Sequence, residues 1–206
     1  LAEDPVEYVG SWATGGSLNT ARYAATGMGT QTDALVAGGF TSTNVANVEN
    51  YNGTSWTEVN DINTARREFG SGGTDTASVV FGGIAATAFA NTESWNGSSW
   101  TEVNNVNTAR GFGGSLGTYT AALLIGGDTY NPSPNRIANV EQWDGTNWTE
   151  ISDLNTARSA GEGAGTTTDG IFFGGTTGSV TAKTEAWNGS AWTEVNDLET
   201  ARYTVA

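Results

Sequence analysis

Residues 49–66 read ENYNGTSWTEVNDINTAR, and three later stretches repeat this pattern almost letter for letter. They are ESWNGSSWTEVNNVNTAR at 93–110, EQWDGTNWTEISDLNTAR at 141–158 and EAWNGSAWTEVNDLETAR at 185–202. An earlier SLNTAR ends in one more Arg, so the arginines stand at 22, 66, 110, 158 and 202, in steps of 44, 44, 48 and 44. The chain is therefore a tandem repeat with a period near 44 residues.

Each period contains four strand signals. The Arg is followed by small residues, such as RYAATGMG at 22–29, which suit an inner strand crowded around an axis. An apolar run ending in Gly-Gly comes next, such as ALVAGG at 34–39, and is expected to be buried on both faces. The last two strands, VENY and TSWTEV, flank Asn52-Gly53, whose positive φ angles predict a hairpin with a type I′ turn. The Gly pairs of the four periods are Gly38, Gly39, Gly82, Gly83, Gly126, Gly127, Gly174 and Gly175.

The period and the strand order predict an all-β chain, a β-propeller of four-stranded antiparallel blades. We expect a single domain over 1–206 with complete repeats at 22–65, 66–109, 110–157 and 158–201. The terminal half-blades, 1–21 and 202–206, either combine into an incomplete fifth blade or belong to a longer array. Closure is the favoured alternative because pairing terminal strands leaves no open sheet edge.

The motif spacing resembles the kelch repeat over nearly the whole chain. The shared elements are the Gly-Gly after an apolar strand, a Glu two residues before an aromatic residue, and a Trp five residues beyond that. The Glu and aromatic pairs are Glu49/Tyr51, Glu93/Trp95, Glu141/Trp143 and Glu185/Trp187. The repeat sequence, which is rich in Asn, Thr and Gly, also looks like kelch-type repeats in tail-fibre and appendage proteins of marine bacteriophages. This resemblance implies loop-built surfaces that contact protein or glycan partners.

Composition excludes several functions. The net charge is −14, with a single Lys, seven Arg and no His, so the chain is expected to repel nucleic acid. No apolar stretch is long enough to predict a membrane span. The absence of Cys and His removes thiolate nucleophiles, disulfides and the usual metal ligands. We therefore predict a protein that is not an enzyme and needs no cofactor; loop Asp and Asn oxygens would suit Ca²⁺, but no calcium-binding motif is present.

Repeated Trp residues are predicted to be structural, packed between blades rather than exposed as sugar-stacking platforms. They are Trp12, Trp56, Trp100, Trp148 and Trp192.

The repeat arginines have two interpretations. Arg22, Arg66, Arg110, Arg158 and Arg202 would form a cationic ring for an anionic ligand if the crossings between blades converge. In the favoured alternative, each Arg pairs with a repeat Glu and holds adjacent blades together, because a buried Arg normally needs a carboxylate partner.

One loop breaks the period. Between Gly127 and Glu141 the chain carries four more residues than the other copies, in DTYNPSPNRIANV. Insertions in repeat proteins map to loops on one face, often the binding face. Tyr130, Asn131 and Arg136 are therefore the candidate ligand contacts, weighed against an insertion without function.

The favoured function is a non-catalytic recognition module of a virion appendage or tail fibre, extracellular or on the virion surface. It would bind a host-surface glycan or protein and contact other fibre subunits. The first alternative is an architectural fibre component without a ligand. The second is a glycosidase or lyase, which would require carboxylates unique to one blade, such as Glu68 or Glu162, facing the axis.

Overall fold

The protein is described here from a computed structural model that covers residues 15–130 and 134–203. Two residues predicted for structural or ligand-binding roles, Trp12 and Asn131, lie outside the described residues. The described part contains sixteen β-strands, and within it no helix is long and apolar enough to cross a membrane.

The strands form four separate four-stranded sheets, one in each period of the sequence. Sheets 1 and 2 contain β1 (Thr26–Gly29), β2 (Ala34–Ala37), β3 (Val48–Tyr51), β4 (Trp56–Val59), β5 (Gly70–Gly73), β6 (Ser78–Phe81), β7 (Thr92–Trp95) and β8 (Trp100–Val103). Sheets 3 and 4 contain β9 (Gly114–Thr118), β10 (Ala121–Ile125), β11 (Val140–Trp143), β12 (Trp148–Ile151), β13 (Glu162–Gly165), β14 (Gly170–Phe173), β15 (Thr184–Trp187) and β16 (Trp192–Glu194).

Every sheet is antiparallel, with its strands hydrogen-bonded in chain order. The prediction of an all-β chain built from four-stranded antiparallel sheets is confirmed. The first strand of each sheet is its inner strand, and the inner strands of successive sheets lie next to one another: β1 contacts β5, β5 contacts β9 and β9 contacts β13.

The outer hairpins form where Asn-Gly and Asp-Gly predicted them, but the predicted turn type is wrong. Tyr51 pairs with Trp56, so four residues separate the strands, and φ is positive at Gly53 (87°) but not at Asn52. The Asn52 side-chain oxygen instead accepts the N–H groups of Thr54 and Ser55, both at 3.0 Å. This local side-chain capping competes with the left-handed conformation that a type I′ turn would require at Asn52.

Neighbouring sheets are joined by apolar contacts. We call the face of a sheet toward the next sheet its rear face and the face toward the preceding sheet its front face. Leu35 and Ala37 on the rear face of sheet 1 share a buried cluster with Trp95 and Trp100 on the front face of sheet 2. Equivalent clusters join sheet 2 to sheet 3 and sheet 3 to sheet 4. At each of these three interfaces, large apolar side chains of the two facing sheets are buried against one another.

One end of the four sheets carries both the loops between the second and third strands and the crossings to the next sheet. In sheet 1, Ala37 pairs with Val48 and Val48 pairs with Val59, which brings these chain ends together. The bridge between Tyr23 and Phe40 extends the same edge. We call this end the crossing face, and the insertion after Gly127 belongs to it, as the strand order predicts.

Backbone hydrogen bonds connect the sheets beside the inner strands. The Glu68 N–H donates to the Ala24 carbonyl (3.1 Å), the Phe112 N–H to the Glu68 carbonyl (3.0 Å), and the Ala160 N–H to the Phe112 carbonyl (2.7 Å). All four residues are left-handed, with φ between 53° and 56°. This conformation costs an L-residue about 1–2 kcal/mol, so the packing of successive sheets must hold it in place.

Replacing Gly97 with Val is expected to destabilise the protein. Gly97 has φ of 90°, and a β-branched side chain there should cost about 1–3 kcal/mol in the free energy of unfolding. Urea denaturation measures the loss. The control is Thr146→Val, which places the same side chain in the turn of the next hairpin, where φ is not positive. Equal stability of the two variants would contradict the turn geometry.

Candidate functional site

Each crossing arginine except the last lies in a buried ion pair. Arg22 Nη1 lies 2.6 Å from Glu49 Oε1, and the same pairing joins Arg66 to Glu93, Arg110 to Glu141 and Arg158 to Glu185. The side chains of all eight residues are at most 1% exposed. These guanidinium groups face the protein's own carboxylates and present no surface to a ligand, so they do not form the cationic ring considered from the sequence.

The carboxylate of each pair also accepts at least one backbone N–H group. Glu49 accepts the N–H groups of Asn19 (2.6 Å) and Thr20 (3.2 Å) in addition to the Arg22 guanidinium. Burial opposes ionisation of Glu49, but the hydrogen bonds from Asn19, Arg22 and Thr20 together lower its pKa below the usual value. The ionised carboxylate is therefore the form that the fold stabilises.

Arg202 differs from the other four. Its backbone carbonyl accepts the N–H of Gly175, as the Arg66 carbonyl accepts that of Gly39, but its side chain is exposed. Among the described residues, its guanidinium bonds only to the Thr200 carbonyl (3.3 Å).

A cavity of about 100 Å³ lies at the crossing-face end of the inner strands. All four sheets contribute to its wall, through residues 24–26, 68–69, 112–115 and 160–162. We call it the axial cavity. Two carboxylates line it, Glu68 from sheet 2 and Glu162 from sheet 4, together with Ser115 and Thr26.

The repeats differ in the residues that line the axial cavity. Two positions after the crossing Arg, the sheets carry Ala24, Glu68, Phe112 and Ala160. Four positions after it they carry Thr26, Gly70, Gly114 and Glu162. These differences between the repeats give the cavity an asymmetric lining.

Both cavity carboxyls resist ionisation. Burial raises the pKa of Glu68 above its usual value, although the positive charge of Arg67 partly opposes this shift. Burial by the surrounding strands also raises the pKa of Glu162, although part of its side chain stays in contact with solvent; a hydrogen bond from the Gly163 N–H acts in the opposite direction. A raised pKa at two carboxyls in one cavity is an arrangement common at binding and catalytic sites.

Aromatic side chains flank the axial cavity on the crossing face. Phe112 lines the cavity and stacks on Tyr130, with ring centroids 6.4 Å apart and planes 18° from parallel. A second group contains Tyr23 and Phe40, 5.5 Å apart, with the Arg67 guanidinium 4.9 Å from the centre of the Phe40 ring. Phe112 and Tyr130 therefore place a partly exposed aromatic surface beside the polar cavity.

The inserted loop is organised by Asp128, which is buried at its start. One carboxylate oxygen of Asp128 accepts the N–H groups of Tyr130 (2.7 Å) and Asn135 (3.1 Å). Tyr130 itself is left-handed, with φ of 61°. This geometry directs the loop so that Tyr130 meets Phe112. Arg136 is half-buried beside Gly178 and forms no ion pair with any described residue.

The repeat Trp and Gly residues lie between and within the sheets. Trp100, Trp148 and Trp192 are buried against the preceding sheet, whereas Trp56 is half-buried and donates from Nε1 to the Gly16 carbonyl (3.0 Å). Both members of each Gly-Gly pair have positive φ, and a Cβ on Gly38 would lie 2.6 Å from the Arg66 carbonyl oxygen. The Gly-Gly pairs therefore allow the crossing chain to pass close to the preceding sheet.

Sequence reasoning named Tyr130 but missed Phe112, Tyr23, Phe40 and Arg67. A signal was present for Phe112, because it is a large residue at a position where other repeats carry Ala or Glu. Across residues 15–130 and 134–203, no group of three or more His, Cys, Asp or Glu side chains could hold a metal ion.

The chain matches no known family model, and no curated protein is similar to it.

Replacing Arg110 with Met is expected to lower the free energy of unfolding by about 3–5 kcal/mol, because it leaves the Glu141 carboxylate buried without its cation. The matched control is Lys183→Met, which breaks an ion pair whose side chains are 34% and 49% exposed and should leave stability nearly unchanged. Urea denaturation compares the two. Equal losses would show that the buried pairs do not hold the sheets together.

Replacing Glu68 with Gln is expected to raise the melting temperature at neutral pH. The folded-state pKa of Glu68 is raised, so its ionised form costs stability once the pH exceeds the unfolded pKa. Below the ordinary Glu value of 4.5, the carboxyl is protonated in both states and the advantage of Gln should disappear. Melting curves across this range test the effect, with Glu199→Gln as an exposed control. A pH-independent difference would contradict a titration origin.

Proposed function

We propose that the four sheets are the blades of a single β-propeller and that its crossing face recognises a host-surface glycan. The observation that carries this proposal is a convergence at one end of the molecule. The axial cavity with its two carboxylates opens next to the stacked pair Phe112 and Tyr130, and the inserted loop supplies Tyr130.

The chemistry of this surface suits a sugar. A pyranose ring has an apolar C–H face that packs on aromatic rings, as well as hydroxyl groups that donate to carboxylates and exchange hydrogen bonds with Ser and Thr. Phe112 and Tyr130 supply the rings, while Glu68, Glu162 and Ser115 supply the polar partners. A small concave site with few polar groups is the common form of a ligand pocket.

The remaining context of the proposal comes from the sequence. The resemblance to repeats of phage tail fibres and appendages supports a location outside the cell or on the virion surface, where other fibre subunits would be its neighbours. The net charge of −14 argues against nucleic acid as the ligand.

A glycoside hydrolase is the second candidate function, and one observation favours it. Glu68 and Glu162 come from different sheets, are unique to their repeats and line the same cavity, each with a raised pKa. Glycosidases use two carboxyl groups around the scissile bond, one of them as a general acid that must stay protonated near neutral pH.

A glycan array tests the recognition proposal. We expect the unaltered protein to bind a glycan. Tyr130→Ala and Glu68→Gln should each weaken binding at least about tenfold, which corresponds to the loss of one contact of roughly 1.4 kcal/mol. The control Ser98→Ala, at the opposite end of the sheets, should bind normally. Comparing binding in the presence of calcium with binding in the presence of a chelator shows whether recognition requires a cation.

Failure of the unaltered protein to bind would favour an architectural role or a protein receptor. Undiminished binding by both site variants would place the ligand elsewhere on the molecule. Chromatography of the bound glycans after incubation tests hydrolysis. Shorter products that vanish in Glu68→Gln and Glu162→Gln would establish the second candidate in place of simple recognition.

A further inference from the structure

The turns of the four outer hairpins share one backbone geometry. In each turn, the N–H of the first residue donates to the carbonyl three positions later, at 3.2 or 3.3 Å, and the Gly that follows the first residue has φ between 87° and 93°. All four turns are exposed. The residue pairs are Asn52-Gly53, Asn96-Gly97, Asp144-Gly145 and Asn188-Gly189. The same backbone therefore carries a carboxamide in three sheets and a carboxylate in one.

Hydrogen bonds hold the carboxamide oxygen of each turn Asn. Oδ1 of Asn96 accepts the N–H groups of Ser98 (3.0 Å) and Ser99 (2.9 Å). The corresponding donors are Thr54 and Ser55 for Asn52, and Ser190 and Ala191 for Asn188. Because a backbone N–H donates only to an acceptor, these bonds direct Oδ1, and not Nδ2, toward the turn.

The nitrogen atoms on either side of this carbonyl group are not held. Within residues 15–130 and 134–203, neither the N–H of a turn Gly nor the Nδ2 of a turn Asn donates a hydrogen bond to another residue. Asn107 shows the contrast, since it donates from Nδ2 to Glu141 (2.8 Å) and is followed by Thr108 instead of Gly. Each Asn-Gly turn thus combines a fixed carbonyl group with an unpaired Gly nitrogen and an unpaired carboxamide nitrogen.

We propose that Asn96, Asn188 and Asn52 are modification sites, at which the folded protein releases ammonia and forms Asp or isoaspartate, in that order of rate. The nitrogen of the following Gly attacks Cγ, so that an N–Cγ bond forms and the Cγ–Nδ2 bond breaks. The Nδ2 group leaves as ammonia with the proton of the Gly N–H, which closes a succinimide ring. Water then adds to one of the two ring carbonyl carbons and opens the ring. Gly has no Cβ to obstruct this attack.

The order of rates follows from the donors around Oδ1. Attack on Cγ places negative charge on this oxygen, and hydrogen-bond donors already directed at it stabilise that charge. Asn52 has two backbone N–H donors. Asn188 has in addition the Ser190 hydroxyl (2.9 Å), and Asn96 has two hydroxyls, those of Ser98 (3.0 Å) and Ser99 (3.4 Å). Asn96 is therefore expected to react fastest and Asn52 slowest.

The turn of sheet 3 shows that this backbone accepts the Asp product. Asp144 Oδ1 accepts the N–H groups of Asn147 (2.7 Å) and Thr146 (2.8 Å), and these hydrogen bonds lower the pKa of Asp144 below its usual value. Conversion to Asp therefore preserves the turn and adds a negative charge. Isoaspartate instead lengthens the main chain by one carbon and disrupts the turn. The proposal depends on neither the propeller arrangement nor the glycan.

Ageing the full chain in mildly alkaline buffer provides the test, because the attacking Gly nitrogen must lose its proton. Peptide mass spectrometry follows each Asn separately through the small mass gain that accompanies conversion of a carboxamide to a carboxyl group. We expect conversion at all three Asn-Gly turns, fastest at Asn96, and none at Asn107.

A double variant, Ser98→Ala with Ser99→Ala, removes both hydroxyl donors from Asn96 and leaves its backbone donors in place. The conversion of Asn96 should slow at least about threefold, less than in a closed enzyme site because water screens the exposed turn. The conversion of Asn188 in the same molecule is the matched control and should keep its rate. Circular dichroism verifies that the variant is folded.

Ageing in urea separates the effect of the turn from that of the Asn-Gly sequence. In the unfolded chain the fixed donors are lost, so the difference in rate between Asn96 and Asn52 should shrink. Two results would overturn the proposal. Conversion in urea without conversion in the folded protein would show that the turn protects Asn. Equal rates at the three sites in the folded protein, unchanged by the double variant, would show that the donors do not control the reaction.

Discussion

The architecture depends on the buried ion pairs that join Arg22, Arg66, Arg110 and Arg158 each to a carboxylate of the sheet that the chain enters. The Arg66 carbonyl accepts the Gly39 N–H of sheet 1, while its guanidinium binds Glu93 of sheet 2. A single residue thus fixes the chain to the sheet it leaves and to the sheet it enters. Because an unpaired buried charge is costly, the spacing between Arg, Glu and Gly-Gly cannot drift independently. Because this ion pair recurs from sheet to sheet, the sequence that positions its residues must recur as well.

This constraint explains why the sheets could be predicted. Glycine pairs after apolar runs and the Asn-Gly and Asp-Gly turns recur at fixed distances, so strand number, order and pairing follow from the spacing. The prediction failed in the turn conformation, where a side-chain oxygen of Asn52 satisfies backbone N–H groups that a type I′ turn would arrange differently. Residue spacing alone does not show which of two local hydrogen-bond patterns a turn adopts.

The candidate site was much harder to predict. The insertion after Gly127 pointed to Tyr130, but its partner Phe112 lies in the preceding crossing and meets it only through the loop conformation that Asp128 imposes. Glu68 and Glu162 are 94 residues apart in sequence, and their common cavity follows from the placement of four inner strands. The arginines were ambiguous for a related reason, because a cationic ring and a set of ion pairs use the same periodic residues and differ only in where the side chains point.

The backbone hydrogen bonds that link Ala24, Glu68, Phe112 and Ala160 do not depend on which side chains these positions carry. Main-chain atoms make these bonds, and Ala, Glu and Phe all occupy the same left-handed position. The side chain there is thus free to change while the scaffold stays the same. Point substitutions at these positions can give the cavity a new charge or shape, so chains with this architecture can diverge in what they bind without any change in how they fold.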